Sequence, residues 1–322
     1  MSWWMAPKIR LKVVRVTRLT PDVASYRLEH PDAAPLPAFA AGAHIDVYLG
    51  DDLIRQYSLC NHAGNADHYL IAVKREAASR GGSSAMHGFG EGSLLSIGEP
   101  RNNFPISDAA GSHLLLAGGI GVTPLLSMAR HLKRDGKAFR LEYFSRSVDN
   151  TPFHDEITTE FGTDAVLNIG MEPIEVRARL LQILRDRPDG AHVYICGPAA
   201  FMETATGIAS SNWPTESIHQ EHFSAAPAVD QAANRPFRVT LAQSNQQFEV
   251  PADKSILDVI RENHIPCDSS CGEGVCGSCM VAVIEGEVEH RDSYLSASEK
   301  EQGEVMMICV SRAKNDDLVI DM

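Results

Sequence analysis

Cys271-Gly272-Glu273-Gly274-Val275-Cys276-Gly277-Ser278-Cys279, with Cys309 further downstream, is the stretch around which this chain is organised. The spacing C-x4-C-x2-C followed by a distant cysteine is the thiolate pattern that holds a plant-type [2Fe–2S] cluster. Such clusters take soft thiolate ligands. Gly272, Gly274 and Gly277 let the loop turn its amides inward, because glycine carries no Cβ penalty in left-handed turns. A structural zinc site is the competing reading. Zinc knuckles favour paired C-x2-C units or mixed cysteine and histidine ligands, and here one C-x2-C stands without a close histidine pair. Cys271, Cys276, Cys279 and Cys309 are therefore expected as the metal ligands. Cys267 reads as a packed neighbour, although spacing alone leaves an exchange with Cys271 open.

Length and charge bound what surrounds this motif. The chain has 322 residues, room for two or three domains, and its 44% hydrophobic and 22% charged composition is that of an ordinary globular protein. A net charge of −13 argues against nucleic acid or an anionic membrane as partner. Met1 to Lys8 is too short and broken for a signal-peptide core. The apolar run from Leu114 to Leu126 is interrupted by Gly118, Gly119, Gly121 and Pro124, so no membrane span is expected. Seven cysteines, four of them claimed by one motif, leave no disulfide framework, which fits a reducing cytoplasm.

From Ile9 to about Gly98 the pattern is strand-like, with Val23–Leu28, Ile45–Leu49, Tyr69–Val73 and Leu94–Ile97 separated by proline and glycine. This reads as a small antiparallel β-barrel over residues 1–107. Within it lies Arg55-Gln56-Tyr57-Ser58-Leu59. Alternation puts Arg55 and Tyr57 on one face and Gln56 and Ser58 on the other. An arginine fork suits a phosphate and a tyrosine face suits an aromatic ring. Further on, Arg80-Gly81-Gly82-Ser83 opens a helix-compatible segment that can aim amides and hydroxyls at an anion.

Arg-x-Tyr-Ser-Leu followed by Arg-Gly-Gly-Ser resembles the flavin domain of the ferredoxin–NADP reductase superfamily, and within it the phthalate dioxygenase reductase group. The resemblance implies FMN. It makes Arg55, Gln56, Tyr57 and Ser58 flavin contacts, joined by Val73 and Lys74, and sets the phosphate against Arg80, Gly81, Gly82 and Ser83.

After about Ser107 the pattern changes. His113–Ala117 is a continuous apolar strand, Gly118-Gly119-Ile120-Gly121-Val122-Thr123-Pro124 a glycine loop, and Leu125–Leu132 a helix. Strand, glycine loop and helix together can place a pyrophosphate on a helix N-terminus. The loop departs from G-x-G-x-x-G but is similar to the pyridine-nucleotide turn of the superfamily, which implicates Gly118, Gly119, Gly121, Val122, Thr123 and Pro124. Alternation continues with strands at Phe139–Phe144, Ala165–Ile169, His192–Cys196 and within Glu216–Phe223. Helices are expected at Pro152–Phe161, opened by an N1 proline, and at Ile174–Leu184 and Phe201–Ala209. This predicts a doubly wound parallel sheet over 108–224.

Cys196-Gly197-Pro198 resembles the family motif beside the nicotinamide. Cys196 reads either as a small buried strand-end residue or as a nicotinamide contact. Phe223, in Gln220-Glu221-His222-Phe223, is implied by resemblance to pack near the flavin. Ser58, Cys196 and Phe223 are the catalytic positions so implied. Ser145 and Arg146 end the second strand without a carboxylate clamp for a ribose, so an arginine stands where a 2′-phosphate would bind. The group resembled uses NADH, which is the expectation here, with NADPH as the alternative.

Residues 225–236 read as a linker. The remainder, 237–322, carries strands at Phe237–Leu241, Phe248–Val250, Met280–Ile284 and Val305–Val310, and a helix capped by Ser255. This is the α+β β-grasp pattern of plant-type ferredoxins. His290-Arg291-Asp292-Ser293-Tyr294-Leu295-Ser296 also resembles a segment of the reductase group and is taken as structural. This module has 16 acidic and 7 basic residues, so −9 of the net charge lies on it, either as a solvated face or as a steering surface for a basic partner.

The module order flavin, pyridine nucleotide, [2Fe–2S] implies a monomeric reductase that takes electrons from NADH and delivers them singly to a separate terminal oxygenase of Rieske type. A reductase for a cytochrome or a diffusible ferredoxin, and a non-enzymatic redox sensor, are the alternatives.

Overall fold

The computed structural model describes residues 8–50, 53–64, 67–77, 81–223 and 234–322. By contacts these divide into two units, 8–221 and 222–322.

The first unit begins with β1 (Ile9–Arg18), β2 (Val23–Glu29), β3 (His44–Tyr48), β4 (Ile54–Ser58), β5 (Tyr69–Lys74), α1 (Gly82–Met86) and β6 (Leu94–Ile97). The strands pair antiparallel in the order β4-β3-β6-β1-β2-β5. Leu59 bridges to Ile71 and the Cys60 amide donates to the Leu70 carbonyl at 2.8 Å, so the two edge strands meet and the sheet closes as a barrel. Alternation along β1 buries Leu11 and Val13 and exposes Arg10 and Lys12, as a one-sided strand requires.

The same unit continues with β7 (Ser112–Gly118), α2 (Val122–Arg134), β8 (Phe139–Ser145), α3 (His154–Phe161), β9 (Ala165–Ile169), α4 (Pro173–Arg185), β10 (Ala191–Cys196), α5 (Ala199–Ala209) and β11 (Ile218–Glu221). All five strands are parallel, in the order β11-β10-β7-β8-β9. The order reverses between β7 and β10, which opens a crevice at their carboxyl ends. Barrel and sheet share one hydrophobic core, in which Leu11, Ile45 and Ile71 join Leu115, Leu125 and Tyr194. Polar ties cross the 107/108 division as well: Ser127 Oγ donates to the Asn61 carbonyl (2.9 Å) and Arg130 Nη1 to the Cys60 carbonyl (2.8 Å).

Two helix starts separate pattern from structure. Pro152 does not open α3. It lies in a turn, followed by Phe153 at φ 61° with its ring buried, and the helix begins at His154. The proline start appears one helix later, where Pro173 opens α4 and Glu172 and Glu175 form a reciprocal capping box.

The second unit holds β12 (Phe237–Leu241), β13 (Gln246–Val250), α6 (Ile256–Glu262), β14 (Met280–Glu285), β15 (Val288–Glu289), α7 (Ala297–Gln302), β16 (Val305–Met307), β17 (Arg312–Ala313) and β18 (Asp317–Ile320). Its main sheet runs β13-β12-β18-β14-β16, with β12 and β18 parallel and the other pairs antiparallel. Ile256, Leu257, Val259 and Ile260 of α6 pack on that sheet, the mixed sheet and packed helix of a β-grasp fold. Ser255 caps α6 in a box with Asp258. The strand expected over Val305–Val310 stops at Met307, so Cys309 sits in the following turn rather than in a strand.

Candidate functional site

On the barrel, β4 sets Arg55 and Tyr57 in register with Val47 and Ile45. Arg55 lies along the backbone of Gly82. A Cβ at Gly82 would stand 2.5 Å from Arg55 Cγ and Nε, so only glycine lets the arginine cross the start of α1. Gly81 precedes it at φ 90°. Ser83 Oγ accepts from the Glu76 amide at 3.1 Å. Tyr57 is half-buried, and burial pushes its phenol up, so the ring is neutral. Gln56 is turned to the other face, where its Nε2 donates to Asp46 (3.0 Å), which also pairs with Arg101 (2.6 Å). Ser58 is buried opposite His44. The Val73 carbonyl bonds to His87 Nε2 (2.9 Å), and Lys74 pairs with Glu76 (2.7 Å). Arg80 lies outside the described residues. His87 carried no signal in the sequence, yet it anchors α1 to the end of β5.

In the crevice of the parallel sheet two turns meet backbone to backbone. A Cβ on Gly121 would stand 2.3 Å from the Cys196 carbonyl oxygen and 2.6 Å from the Gly197 nitrogen. One on Gly118 would meet Phe201 and Pro198, each at 3.0 Å. Gly118, Gly119, Gly121 and Cys196, Gly197, Pro198 are thus brought together from distant parts of the chain. Val122, Thr123 and Pro124 are buried in the first turn of α2, and Thr123 Oγ1 donates to the Ile120 carbonyl at 3.0 Å. Glycines at a strand end and an open helix start are what a pyrophosphate needs for close approach.

Cys196 is fully buried, and burial, with Glu221 beside it, holds its thiol well above the usual range. Glu221 pairs in register with Cys196. Its Oε2 is shielded from solvent without a hydrogen-bond partner, and burial pushes the carboxyl up to about 8. Nothing in the sequence pattern singled out Glu221. Ser145 Oγ is engaged by Thr151 Oγ1 at 2.6 Å, while Arg146 is exposed and makes no ion pair among the described residues. Phe223, two residues beyond β11, belongs to the second unit and is 40% exposed.

In the second unit the four expected ligands converge. The Cys271 side chain lies beside those of Cys276 and Cys309, and the Cys309 side chain beside that of Cys279. The Glu273 amide donates to Cys271 Sγ (3.3 Å) and the Ser278 amide to Cys276 Sγ (3.5 Å). Among the described residues no three His, Cys, Asp or Glu side chains are grouped around a single ion. Four cysteine side chains brought together from the loop and the Cys309 turn are the soft donors such a cluster takes, so the donor set fits [2Fe–2S].

A family model described as a 2Fe-2S iron-sulfur cluster binding domain matches residues 239–314. Phthalate dioxygenase reductase of Burkholderia cepacia is 40% identical over 317 residues, covering 98% of this chain and 97% of that protein. The oxygenase reductase subunit of phthalate 4,5-dioxygenase from Pseudomonas putida is 43% identical over 318 residues, covering 97% and 96%. The chain belongs to the phthalate dioxygenase reductase family. Within that family, a solved phthalate dioxygenase reductase, described as a modular structure for electron transfer from pyridine nucleotides to [2Fe–2S], superposes with a TM-score of 0.75 at 40% identity and covers 98% of both chains.

For a member of this family one further thiol needs placing. Cys267 stands outside the hydrogen-bonded set. Its Sγ donates to the Asp268 carbonyl (3.3 Å), and burial pushes it up to about 11. The described residues contain no helix long and apolar enough to cross a membrane.

Proposed function

We propose that this chain is the NADH-dependent reductase component of a multicomponent oxygenase. It passes electrons from NADH through FMN and [2Fe–2S] to a separate terminal oxygenase, of Rieske type, that acts on an aromatic or related small substrate. The observation that carries this reading is the full-length relationship to two dioxygenase reductases, in a chain whose four expected ligand cysteines lie side by side. NADH yields two electrons as hydride, a flavin accepts the pair and releases singles, and the cluster carries one at a time.

The chain's own residues bind and orient those groups. Arg55 and the amides at Gly81, Gly82 and Ser83 would hold the FMN phosphate, Tyr57 would flank the ring, and Val73 and Lys74 would edge it. Gly118, Gly119, Gly121 and Thr123 would admit the pyrophosphate of NADH, and Cys196 to Pro198 would close on the nicotinamide. Glu221 holds a proton beside the Cys196 thiol at neutral pH. Cys271, Cys276, Cys279 and Cys309 would bind the cluster. The assignment covers a flavin module to 107, a nucleotide module to 224 and a ferredoxin module from 237, working as a monomer in the cytoplasm.

The test is spectroscopic. The purified chain should contain one FMN, two irons and two labile sulfides per chain, as a flavin and a [2Fe–2S] cluster require. It should bleach with NADH under anaerobic conditions and reduce cytochrome c. A colourless chain, or one bleached by neither NADH nor NADPH, removes the reading.

A further inference from the structure

The segment from His290 to Ser296 packs against the cluster loop. A Cβ on Gly274 would stand 2.6 Å from Val310 Cγ2, 3.0 Å from Asp292 Cα and 3.1 Å from Asp292 Cβ. A Cβ on Gly277 would stand 2.5 Å from Tyr294 Cζ. The Ser293 amide donates to the Gly274 carbonyl at 3.0 Å. These two glycines lie between the ligands Cys271, Cys276 and Cys279, so the segment forms the floor on which the loop rests.

Asp292 is the centre of that floor. Its side chain is fully buried. Oδ2 accepts from the Leu295 amide (2.8 Å) and the Tyr294 amide (3.2 Å), and Oδ1 from Ser311 Oγ (3.4 Å). Ser311 Oγ in turn accepts from the Arg291 amide at 3.2 Å. Ser311 follows Cys309 by two residues, and its amide bonds back to the Met307 carbonyl (3.0 Å), which closes the turn carrying the fourth ligand. Lys300 Nζ donates to the Asp292 carbonyl (2.6 Å) and lies 3.7 Å from Oδ2, and His290 Nδ1 lies 3.6 Å from Oδ1. The carboxylate thus ties this segment to the Cys309 turn through Ser311, while the segment's backbone holds the three-ligand loop through the Ser293 amide and the close approach of Asp292 to Gly274. A buried carboxylate is retained only where its oxygens are satisfied, and here the Tyr294 and Leu295 amides and the Ser311 hydroxyl satisfy them.

We propose that Asp292 is a positioning residue for the [2Fe–2S] cluster, locking loop 271–279 to the Cys309 turn through Gly274 and Ser311. This rests on the reading of the four cysteines as ligands. Held this way, the four thiolates keep one spacing in both charge states of the cluster, as outer-shell partners do in other metal sites.

The test uses the full-length holoprotein and three readouts: iron and sulfide content, the rate of cluster loss to a chelator, and the cluster midpoint in a redox titration. Asp292→Asn keeps the volume and removes the charge. It should lose its cluster roughly tenfold faster. Its midpoint should rise, because a fixed negative charge disfavours reduction; a tenfold change in the reduction equilibrium is about 59 mV for one electron. Ser311→Ala cuts only the tie to the Cys309 turn and should speed cluster loss with the midpoint nearly unchanged. Wild-type release rates and midpoints in both variants overturn the proposal. If Asp292→Asn fails to fold, the release rate of Ser311→Ala decides alone, and a wild-type rate there overturns it. A wild-type chain without iron and sulfide overturns the ligand reading instead.

Discussion

The nucleotide crevice and the cluster loop both rely on glycines pressed against a neighbouring stretch, but they are held in different ways. Gly121 abuts the Cys196–Gly197 backbone, and both stretches end strands of one parallel sheet whose core is continuous. Gly274 abuts the Val310 side chain and Asp292, Gly277 abuts the Tyr294 ring, all in stretches without regular structure, and the loop from 266 to 279 has no helix or strand. The crevice inherits its shape from hydrogen-bonded strands and needs no ligand to keep it. The cluster loop depends on side-chain ties and on the metal itself, whose binding energy becomes folding energy where the site is otherwise loose.

This contrast can be broken at several points. The largest effect belongs to Cys276→Ser, which removes one cluster ligand. Cytochrome c reduction should be lost while NADH still bleaches the flavin; loss of both would mean that the crevice also depends on the cluster.

Gly121→Ala comes next. Its Cβ meets three backbone atoms of the Cys196–Gly197 peptide, so no side chain can move to make room. It should destabilise the first unit by about 1–3 kcal/mol and raise the KM for NADH at least tenfold, read by flavin reduction kinetics. Gly272→Ala is the control in the other region. It meets nothing within 4 Å and has only its φ of 66° against it, so it should cost about 1–2 kcal/mol. Equal effects from the two would erase the distinction.

Glu221 sharpens the comparison through pH. Its carboxyl is raised from 4.5 to about 8 by burial, so the folded state binds the proton that the unfolded state releases. Stability carried by this site is present below about 4.5 and is lost as pH rises towards about 8. Melting of the first unit should therefore fall between pH 6 and 8 in the wild type and stay flatter in Glu221→Gln, a difference of the order of 1–3 kcal/mol. The smallest effect is expected at Arg146, exposed just after β8 and without an ion pair among the described residues. Arg146→Ala should raise the KM for NADPH a few-fold and leave that for NADH nearly unchanged, measured side by side.

Much of the fold was legible because it is written in local patterns. Strand alternation, the glycine loop before α2 and the Ser255 cap each depend on a few neighbouring residues. Elsewhere tertiary packing overrides the local pattern. Pro152 looked like a helix start, but burying the Phe153 ring put that residue in a left-handed turn and delayed the helix to His154. The run Val305–Val310 looked like one strand, but the turn that presents Cys309 cuts it at Met307. β18 is only four residues long and carries little pattern of its own, although it lies at the centre of the second sheet between β12 and β14.

For the site, the sequence by itself determined the chemistry: thiol spacing, glycine turns and module order are covalent or nearest-neighbour facts. Only the tertiary structure decided which distant residues serve that chemistry. The reversal of strand order between β7 and β10 is what presses Gly121 onto Cys196, and the β10–β11 register is what buries Glu221 against the same thiol. Asp292 and Ser311 meet beneath the cluster loop for the same reason. Such contacts come from packing between stretches far apart in the chain, and no periodicity along the sequence encodes them.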